Sequence, residues 1–372
     1  MKKAIILSFQ FADNYGAVLQ IYALSKVLED NGIEVEVVDY NPPYLLKPYS
    51  IGLDLRTNIN ERGYLRTIKD LFSKLKEFPV NNNRHKSFEE FRKDYLHLTR
   101  KSYKTSEDLE RDESLKHYDY YFVGSDQVWN PKFFQHAGNA YFLSFASSKK
   151  VIASYAASIA EKIEPKYEKN FQEGLKKFDF ISVREQSAQK ELEAIIDQPI
   201  EVTLDPTLLL NKSKWEIIAD KNETDAEKFI LVYDLVKDSR IISVVNEMVN
   251  QTGYKVISFS NQSDYLNWNG SFMGKNPTKL LKLFMDAEYV VTSSFHGTAF
   301  SLIFEKEFYT VPHPTRGSRM IDLLESLELG EKLVTEASEI NLSQTVDYTK
   351  VNKILSEKRD LSLQFINEVI NS

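Results

Sequence analysis

The sequence predicts an α/β protein of two Rossmann-like domains that face each other across a cleft. Its 372 residues exceed what one ordinary hydrophobic core holds, so two domains are expected. Apolar runs of strand length alternate with amphipathic runs of helix length, the pattern of parallel sheets joined by crossover helices. The alternation is interrupted once, over residues 41–117, and a second set begins after residue 210.

The composition is that of a globular protein and narrows the possible functions. Hydrophobic residues make up 42% and charged residues 27%, and the formal net charge of −7 argues against a nucleic-acid-binding protein. The absence of cysteine excludes disulfides and thiol-based metal sites or nucleophiles. The opening apolar run is broken by Gln10 before it resembles a signal peptide, and later runs are too short to span a membrane. We therefore expect a cytoplasmic protein.

The first forty residues predict a β-α-β unit. Ala4 to Phe9 is a short buried strand, and a polar loop follows it. A helix is expected from about Gly16 to Asp30, because Ala17, Ile21, Leu24 and Leu28 recur at helical spacing. Gly32 can adopt the left-handed conformation that ends a helix. The alternating run IEVEVVDY is the second strand.

Residues 41–117 depart from this rhythm and predict a helical insertion over the first sheet. Prolines and the run Asn81 to Asn83 separate two helical stretches, YLRTIKDLFSKLKEF and KSFEEFRKDYLHL. Strands resume afterwards, and the first domain is expected to cover residues 1–210. The resumed strands are DYYFVGS, VIASYAAS, FDFISVRE and IEVTLDP.

A second Rossmann-like domain is predicted over residues 211–345, followed by a helix over 346–372 that crosses back. Proline begins one of its helices, PTKLLKLFMDA, as the fixed φ of proline favours. Its expected strands and helices, in order, are FILVYDL, SRIISVVNEMVNQTG, YKVISFS, PTKLLKLFMDA, EYVVTSS, HGTAFSLIFE, FYTVPH and SRMIDLLESLEL.

Ligands of open α/β sheets bind beyond the carboxyl ends of strands, so the loops there carry the candidate residues. In the first loop, FADNYGAVLQ, a glycine at a helix start lets a ligand approach backbone N–H groups. Asn14, Tyr15 and Gln20 are candidates for binding a sugar. The alternative is ordinary turn and capping chemistry. The loop lacks the G-x-G-x-x-G pattern, so a dinucleotide is not indicated.

The loop FVGSDQVWNP places an aromatic ring beside amide and carboxylate groups, as proteins that bind sugars often do. The alternative is a turn with a buried tryptophan. The candidate acceptor-binding residues are Ser125, Gln127, Trp129 and Asn130, with Asp126 as a candidate base.

Two further strand ends predict anion binding. Arg184 follows an apolar strand, and its guanidinium matches carboxylate or phosphate, although a surface ion pair with Glu185 is the alternative. In VVTSSFHGTAFSLIF, Ser294 and His296 follow a strand and Gly297 begins a helix, whose free N–H groups and dipole favour an anion. The imidazole of His296 can donate to phosphate or move a proton, or serve only as a structural residue.

Taken together, these segments resemble the polysaccharide pyruvyl transferase family over roughly Lys3 to Leu329. The resemblance implies a fold of the GT-B type, phosphoenolpyruvate as donor, and a glycan of the capsule or exopolysaccharide kind as acceptor. It implies no bound cofactor and no metal. The matching segments, in chain order, are NYGAVLQ, VEVVDYNP, VGSDQVWNP, SVRE, VTLDPTLLL, SFHGTAFSLIF and SRMIDLLESLEL.

The resemblance also suggests roles for individual residues. Arg184, His296 and Arg319 fall on positions expected to contact the donor. Many members of the family carry Arg-Leu-His where this chain has Ser294-Phe295-His296. Either Arg316, Arg319 or a lysine supplies the missing charge, or this subgroup uses a different donor geometry. Asp205 and the proline after it are assigned to the fold. The working hypothesis makes His296 the general acid or phosphate donor and Asp126 the base on the acceptor side.

A basic, aromatic stretch from Arg84 to Lys104 raises the question of a lipid-linked acceptor. It could rest on the anionic inner face of the membrane or meet a pyrophosphate, whereas a solvated helical face is the alternative. Two rival functions share the predicted fold. One is a nucleotide-sugar-dependent glycosyltransferase, and the other is a glycan-binding protein without catalytic activity.

Overall fold

The structure, a computed structural model, describes residues 1–46, 82–132, 139–222, 227–235, 238–259, 264–312 and 317–372. Its described part contains two parallel sheets. The first has seven strands in the order β3-β2-β1-β4-β5-β6-β7. These are β1 (Lys3–Leu7), β2 (Glu34–Tyr40), β3 (Leu98–Tyr103), β4 (Tyr120–Asp126), β5 (Val151–Ala157), β6 (Phe180–Val183) and β7 (Glu201–Val202).

The second sheet has five strands in the order β10-β9-β8-β11-β12. Each sheet therefore reverses its strand order once, between β1 and β4 in the first and between β8 and β11 in the second. This doubly wound order is that of Rossmann-like folds. The strands are β8 (Phe229–Tyr233), β9 (Lys255–Ser258), β10 (Trp268–Ser271), β11 (Tyr289–Thr292) and β12 (Glu307–Thr310).

Helices cover both faces of the sheets, which is why the central strands are almost continuously apolar. All five residues of β8 are buried, and the helix after β1 is capped at Asn14, whose side chain accepts a hydrogen bond from Ala17 N–H. The helices are α1 (Tyr15–Asp30), α2 (Pro43–Leu46), α3 (82–95), α4 (Ser106–Arg111), α5 (Pro165–Leu175), α6 (Gln186–Glu193), α7 (Pro206–Leu209), α8 (Lys212–Ile218), α9 (Ser239–Thr252), α10 (Pro277–Asp286), α11 (Phe295–Ile303), α12 (Ser318–Ser326) and α13 (Tyr348–Asn371).

One hydrophobic cluster runs through both halves of the chain. It contains Tyr22 of α1, Trp215 of α8 and Phe300 of α11, with Trp215 in ring contact with the other two. The opposite face of each sheet has a cluster of its own. The two sheets are thus held together by shared apolar packing as well as by the chain connection.

Within residues 41–117, where a helical insertion is predicted, the described residues include both helix and strand. Residues 82–95 form a helix, but Leu98–Tyr103 is a parallel edge strand of the first sheet, paired with β2. The strand escaped prediction because its middle residues are exposed and polar, so alternation of buried and exposed residues is weak. The first predicted helical stretch, YLRTIKDLFSKLKEF, lies outside the described residues.

The last helix, α13, lies against the first sheet. Phe365 is in ring contact with Tyr155 of β5 and Phe180 of β6, and Ser362 Oγ accepts a hydrogen bond of 2.9 Å from Leu204 N–H. Residues near both ends of the chain therefore contribute to one core. No helix of the described part is long and apolar enough to cross a membrane.

Candidate active site

A cavity of about 210 Å³ lies where the two strand-order reversals meet. The carboxyl ends of β1 and β4 border it from the first sheet, and those of β8 and β11 border it from the second. This is where α/β sheets bind ligands, because the loops diverge there and leave a crevice. Its lining residues are Asn14, Asp126, Gln127, Leu235, Ser293, Ser294, Phe295, His296, Arg319 and Met320.

The start of α11 forms the floor of this cavity on the side of the second sheet. The helix begins at Phe295 rather than at the predicted Gly297, and Ser294 is its N-cap residue. The first N–H groups of a helix have no carbonyl partner within it, and the helix dipole adds positive potential there. Gly297 serves packing, because a Cβ at this position would lie 2.1 Å from Thr292 Oγ1. This helix start can therefore receive an anion.

His296 is buried in the first turn of α11, and residues from the first half of the chain enclose its ring. A Cβ at Gly16 of α1 would lie 2.0 Å from His296 Nδ1, so the glycine backbone packs directly on the imidazole. On the other side, Nε2 lies 3.6 Å from Asp205 Oδ2, slightly beyond hydrogen-bond distance. Nε2 has no hydrogen-bond partner among the described residues. The ring is thus held between Gly16 and Asp205, and Nε2 is a buried nitrogen that faces the Asp205 carboxylate.

Asp205 is a fully buried carboxylate that contacts three parts of the site. Oδ1 accepts hydrogen bonds from Thr207 N–H at 3.0 Å and Thr207 Oγ1 at 2.7 Å, while Oδ2 accepts from Ser125 Oγ at 2.8 Å and Arg184 Nη1 at 2.7 Å. Burial by itself raises the pKa of the Asp205 carboxyl, but His296, Arg184 and Thr207 together outweigh burial and hold this pKa well below its usual range. Asp205 is therefore an anion at neutral pH.

Arg184 lies behind the cavity with its guanidinium 4.4 Å from the centroid of the Phe295 ring. Nη1 donates to Asp205, whereas Nε and Nη2 make no hydrogen bond within the described part of the chain. Nε is 3.7 Å from Glu185 Oε2, and Nη2 is 3.9 Å from Asp126 Oδ1. The guanidinium is therefore an internal ion-pair partner, not the surface group of the alternative interpretation.

Glu185 is a second buried carboxyl that the sequence did not single out. Burial raises the pKa of Glu185 above its usual value, although Arg184, Arg319 and a hydrogen bond from Ser158 act in the opposite direction. Its Oε2 has no hydrogen-bond partner among the residues described. A carboxyl with a raised pKa beside a cleft is a feature common at functional sites.

Asp126 ends β4 in a left-handed conformation, with φ of +67°. This region is unusual for residues other than glycine, although aspartate tolerates it better than most, and it is often found at functional sites. Its Oδ1 accepts a hydrogen bond of 2.9 Å from Gln127 N–H, and the side chain borders the cavity. The conformation turns the chain so that Asp126 and Gln127 both line the cavity.

A second cavity, of about 350 Å³, adjoins the first and shares Phe295 and Arg319 with it. It lies beyond β6 and β7 and is closed by α12 and α13. The predicted donor-binding residues are divided between the two spaces, since Arg184 lines the second cavity, Ser294 and His296 line the first, and Arg319 lines both. Arg316 lies outside the described residues.

The predicted acceptor-binding residues do not form one group. Asn14 and Gln127 line the first cavity, and Asn130 is buried beside Gln127, to whose Oε1 it donates at 3.4 Å. Ser125 is buried and points at Asp205 instead of at the cavity.

Three of these predictions conflict with the observed packing. Trp129 is completely buried, donates from Nε1 to Tyr141 O at 3.0 Å, and has no exposed face on which a sugar could stack. Gln20 is completely buried on α1 and donates to Ser8 Oγ at 2.9 Å. Tyr15 is inserted into the second half of the chain, where its hydroxyl donates to Lys275 O at 2.9 Å. Each is held in the core, so none is positioned to contact an acceptor.

The basic stretch from Arg84 to Lys104 is partly occupied by internal contacts. Arg92 Nη2 donates to Asp13 Oδ1 at 3.0 Å, and His85 Nδ1 lies 2.9 Å from Asp13 Oδ2. Arg84 donates to the carbonyl of the same residue. Helix α3 therefore anchors the loop that leads into α1, in agreement with the alternative of a packed helix for these three residues.

Comparison with known proteins gives one family and one fold. A family model for polysaccharide pyruvyl transferase matches residues 14–314. The structure of S. aureus MnaA with UDP is similar at a TM-score of 0.51 and 13% identity, covering 98% of this chain and 91% of that one. UDP-GlcNAc 2-epimerase from Methanocaldococcus jannaschii, in complex with UDP-GlcNAc and UDP, is similar at a TM-score of 0.50 and 14% identity. This match covers 100% of this chain and 99% of that one.

At these identities the structural similarity shows the fold alone. It confirms the predicted GT-B-like class, an α/β protein with two parallel sheets on either side of a cleft. No curated protein matches the sequence. The family match covers most of the chain, including both sides of the first cavity.

Proposed function

Because the chain belongs to the polysaccharide pyruvyl transferase family, we propose that it transfers the pyruvyl group of phosphoenolpyruvate to hydroxyls of a sugar in a glycan and releases phosphate. The observation that carries this proposal is the meeting of His296, Arg319 and the start of α11 at one cavity between the sheets. Phosphoenolpyruvate carries a phosphate and a carboxylate, and this set of groups suits such an anion.

We assign the donor anion to the first cavity. The N–H groups at the start of α11 and the Ser294 hydroxyl would donate hydrogen bonds to one oxyanion, and Arg319, which lines the same cavity, would bind it as well. Arg319 therefore takes the place of the arginine that many family members carry at position 294. Helix α12 delivers it from the second half of the chain, one strand further along than α11.

The reaction requires one base and one acid. A sugar hydroxyl attacks C2 of phosphoenolpyruvate while a base accepts its proton, and an acid protonates C3, which gives a carbon bonded to both the sugar oxygen and phosphate. The C2–O bond to phosphate then breaks, and a second hydroxyl of the same sugar closes a cyclic ketal. Its proton leaves with phosphate or solvent, so charges and atoms balance.

His296 and Asp126 are assigned as acid and base because they line the same cavity from opposite sheets. His296 lines this cavity from the first turn of α11, and Asp126 lies on the side of Asn14 and Gln127, where we place the acceptor. The second cavity adjoins the first at Phe295 and Arg319. It could hold the further sugar units of an acceptor that is longer than the reacting sugar.

The first test is ligand-dependent thermal stability. A ligand that binds only the folded protein raises the melting temperature by mass action. Phosphoenolpyruvate should raise it, and Arg319→Ala and Arg184→Ala should remove or reduce the increase. Arg111→Ala, on the exposed helix α4, is the control and should leave the increase unchanged. Stabilisation by nucleotide sugars instead would contradict the proposal and favour a glycosyltransferase.

The assignment of Asp126 has its own test. Asp126→Asn should lower kcat by about 100-fold or more, the usual contribution of a general base. Near-normal turnover with an unchanged pH profile would exclude Asp126 as the base. Glycan binding without any release of phosphate by the wild-type protein would support a glycan-binding protein that lacks catalytic activity.

A further inference from the structure

Asp205 makes more contacts than its place in the fold requires. It is the N-cap residue of α7, and its Oδ1 alone satisfies that helix start through Thr207 N–H and Oγ1. Oδ2 faces away from α7 and meets Ser125, Arg184 and His296. One carboxylate oxygen thus serves the local structure and the other serves the site.

The negative charge is not needed for the cap. Asparagine caps helices about as well as aspartate, and a neutral side chain avoids the large free-energy cost of burying a charge. Asp205 is only 1% exposed, and its buried ion pair with Arg184 offsets part of that cost. The charge therefore has to be explained by the groups that Oδ2 faces.

Those groups come from three elements on both sides of the cleft. Ser125 is the second-last residue of β4, Arg184 follows β6, and His296 lies in the first turn of α11. Glu185 and Asp126 also face the Arg184 guanidinium, at 3.7 Å and 3.9 Å, but neither is within hydrogen-bond distance of it. Asp205 is therefore the carboxylate that links the arginine of the first sheet to the histidine of the second.

We infer that Asp205 is a positioning residue that holds the Arg184 guanidinium and the His296 imidazole in the orientation needed for pyruvyl transfer. This inference rests on the proposed function. Asp205 fixes Arg184 directly through the 2.7 Å bond, and its Oδ2 lies 3.6 Å from His296 Nε2 on the other side. The carboxylate also opposes the positive charge of the site, so it weakens binding of the donor anion while it improves the geometry for reaction.

This combination predicts opposite changes in binding and in turnover. Asp205→Asn removes the negative charge and should therefore tighten the binding of inorganic phosphate, the proposed product, about threefold or more. The same change should lower kcat about 100-fold or more, since Arg184 and His296 lose their common partner. A merely structural role would weaken phosphate binding and turnover together.

Calorimetric titration with inorganic phosphate measures the first effect without any acceptor. Asp112→Asn is the matched control, because Asp112 also accepts hydrogen bonds from a lysine and a tyrosine but lies far from the cavity, beside β3. It should change neither phosphate binding nor turnover. Turnover is followed as phosphate release from phosphoenolpyruvate with the acceptor that supports wild-type activity.

A second variant keeps the test decisive if Asp205→Asn does not fold. Ser125→Ala removes one hydrogen bond from an uncharged donor to Oδ2 and leaves every charge in place. It should lower kcat about fivefold to tenfold with phosphate affinity nearly unchanged. Folding of each variant is monitored by circular dichroism.

The outcomes separate the inference from the proposed function. Wild-type protein that binds phosphate, with Asp205→Asn binding it equally or more weakly, overturns the inference alone, as does unchanged kcat in either variant. Wild-type protein that binds neither phosphate nor phosphoenolpyruvate overturns the donor site and the inference with it. Tighter phosphate binding together with a large loss of kcat supports both.

Discussion

The backbone of Gly16 packs against the imidazole of His296 so closely that a Cβ on Gly16 would lie 2.0 Å from Nδ1. Gly16 belongs to the first turn of α1, over the first sheet, and His296 to the first turn of α11, over the second. The position of the imidazole therefore depends on a contact between the two halves of the chain. A side chain at position 16 must displace either the His296 imidazole or one half of the chain relative to the other.

Gly16→Ala should lower activity more than stability. The added methyl group cannot be accommodated without moving His296, and a displacement of about 1 Å in a reacting group lowers turnover by roughly 100-fold. Alanine also favours the helix itself by about 0.5–1 kcal/mol, which offsets part of the strain. The measurement is kcat beside the free energy of unfolding in urea. Gly330→Ala is the control, since a Cβ there meets nothing within 4 Å and neither quantity should change.

An arginine at position 294 should be able to replace Arg319 in binding the donor anion. Arg319→Ala should weaken phosphoenolpyruvate binding about tenfold or more, the usual loss for one charged hydrogen-bond partner. Ser294→Arg on that background should restore part of the affinity, because both residues line the first cavity. Calorimetric titration measures both effects. If the double variant binds no better than Arg319→Ala, the two positions do not serve the same anion.

Trp129→Phe should affect stability and leave ligand binding unchanged. The indole is completely buried, and the variant loses the hydrogen bond to Tyr141 O and leaves a small cavity, at a cost of about 1–3 kcal/mol. Trp268→Phe is the matched control, because that indole is 37% exposed and should cost less. Urea denaturation gives the two free energies of unfolding. A raised KM for the acceptor, with unchanged stability, would instead show that Trp129 contacts the acceptor.

The ion pair of Asp205 and Arg184 should make the folded protein less stable as the pH falls into the acidic range. The pKa of Asp205 is held below its usual value in the folded protein, so the pair stabilises the fold above the unfolded pKa of about 3.9. Its contribution is lost as the pH falls through the folded pKa. Asp205→Asn should therefore cost roughly 3–5 kcal/mol between pH 5 and 8, with a smaller difference below pH 4.

Urea unfolding over this pH range tests the prediction. Glu113→Gln is the control, since Glu113 forms a surface pair with Lys116 and should contribute little at any pH. A difference between wild type and Asp205→Asn that grows below pH 4 would mean that the folded pKa of Asp205 is raised.

The fold could be predicted largely because parallel strands and crossover helices leave strong periodic patterns. The buried runs at β1, β4, β8 and β11 were each identified, and with them the loops that border the cavity. β3 could not be identified, since pairing with β2 through backbone hydrogen bonds makes it a strand although its middle residues are polar and exposed.

The candidate site could be predicted less fully, because a loop sequence does not reveal which side chains point inward. Ser125, Asp126 and Gln127 are consecutive, yet only the last two line the cavity, owing to the left-handed conformation of Asp126. The sequence assigns Asp205 to the fold, and in the structure Asp205 is indeed the N-cap residue of α7. Its second oxygen meets residues 80 positions before it and 91 after it, contacts that no local pattern encodes.

The packing of α13 on the first sheet has a consequence for the order in which the protein can fold. Phe365 and Ser362 cover β5, β6 and the segment after β7, all of which are synthesised more than 150 residues earlier. During translation, this apolar surface of the first sheet stays exposed to solvent until α13 has left the ribosome. A truncation within α13 would thus leave this surface of the first sheet exposed in the final protein, which would then be prone to aggregate through it.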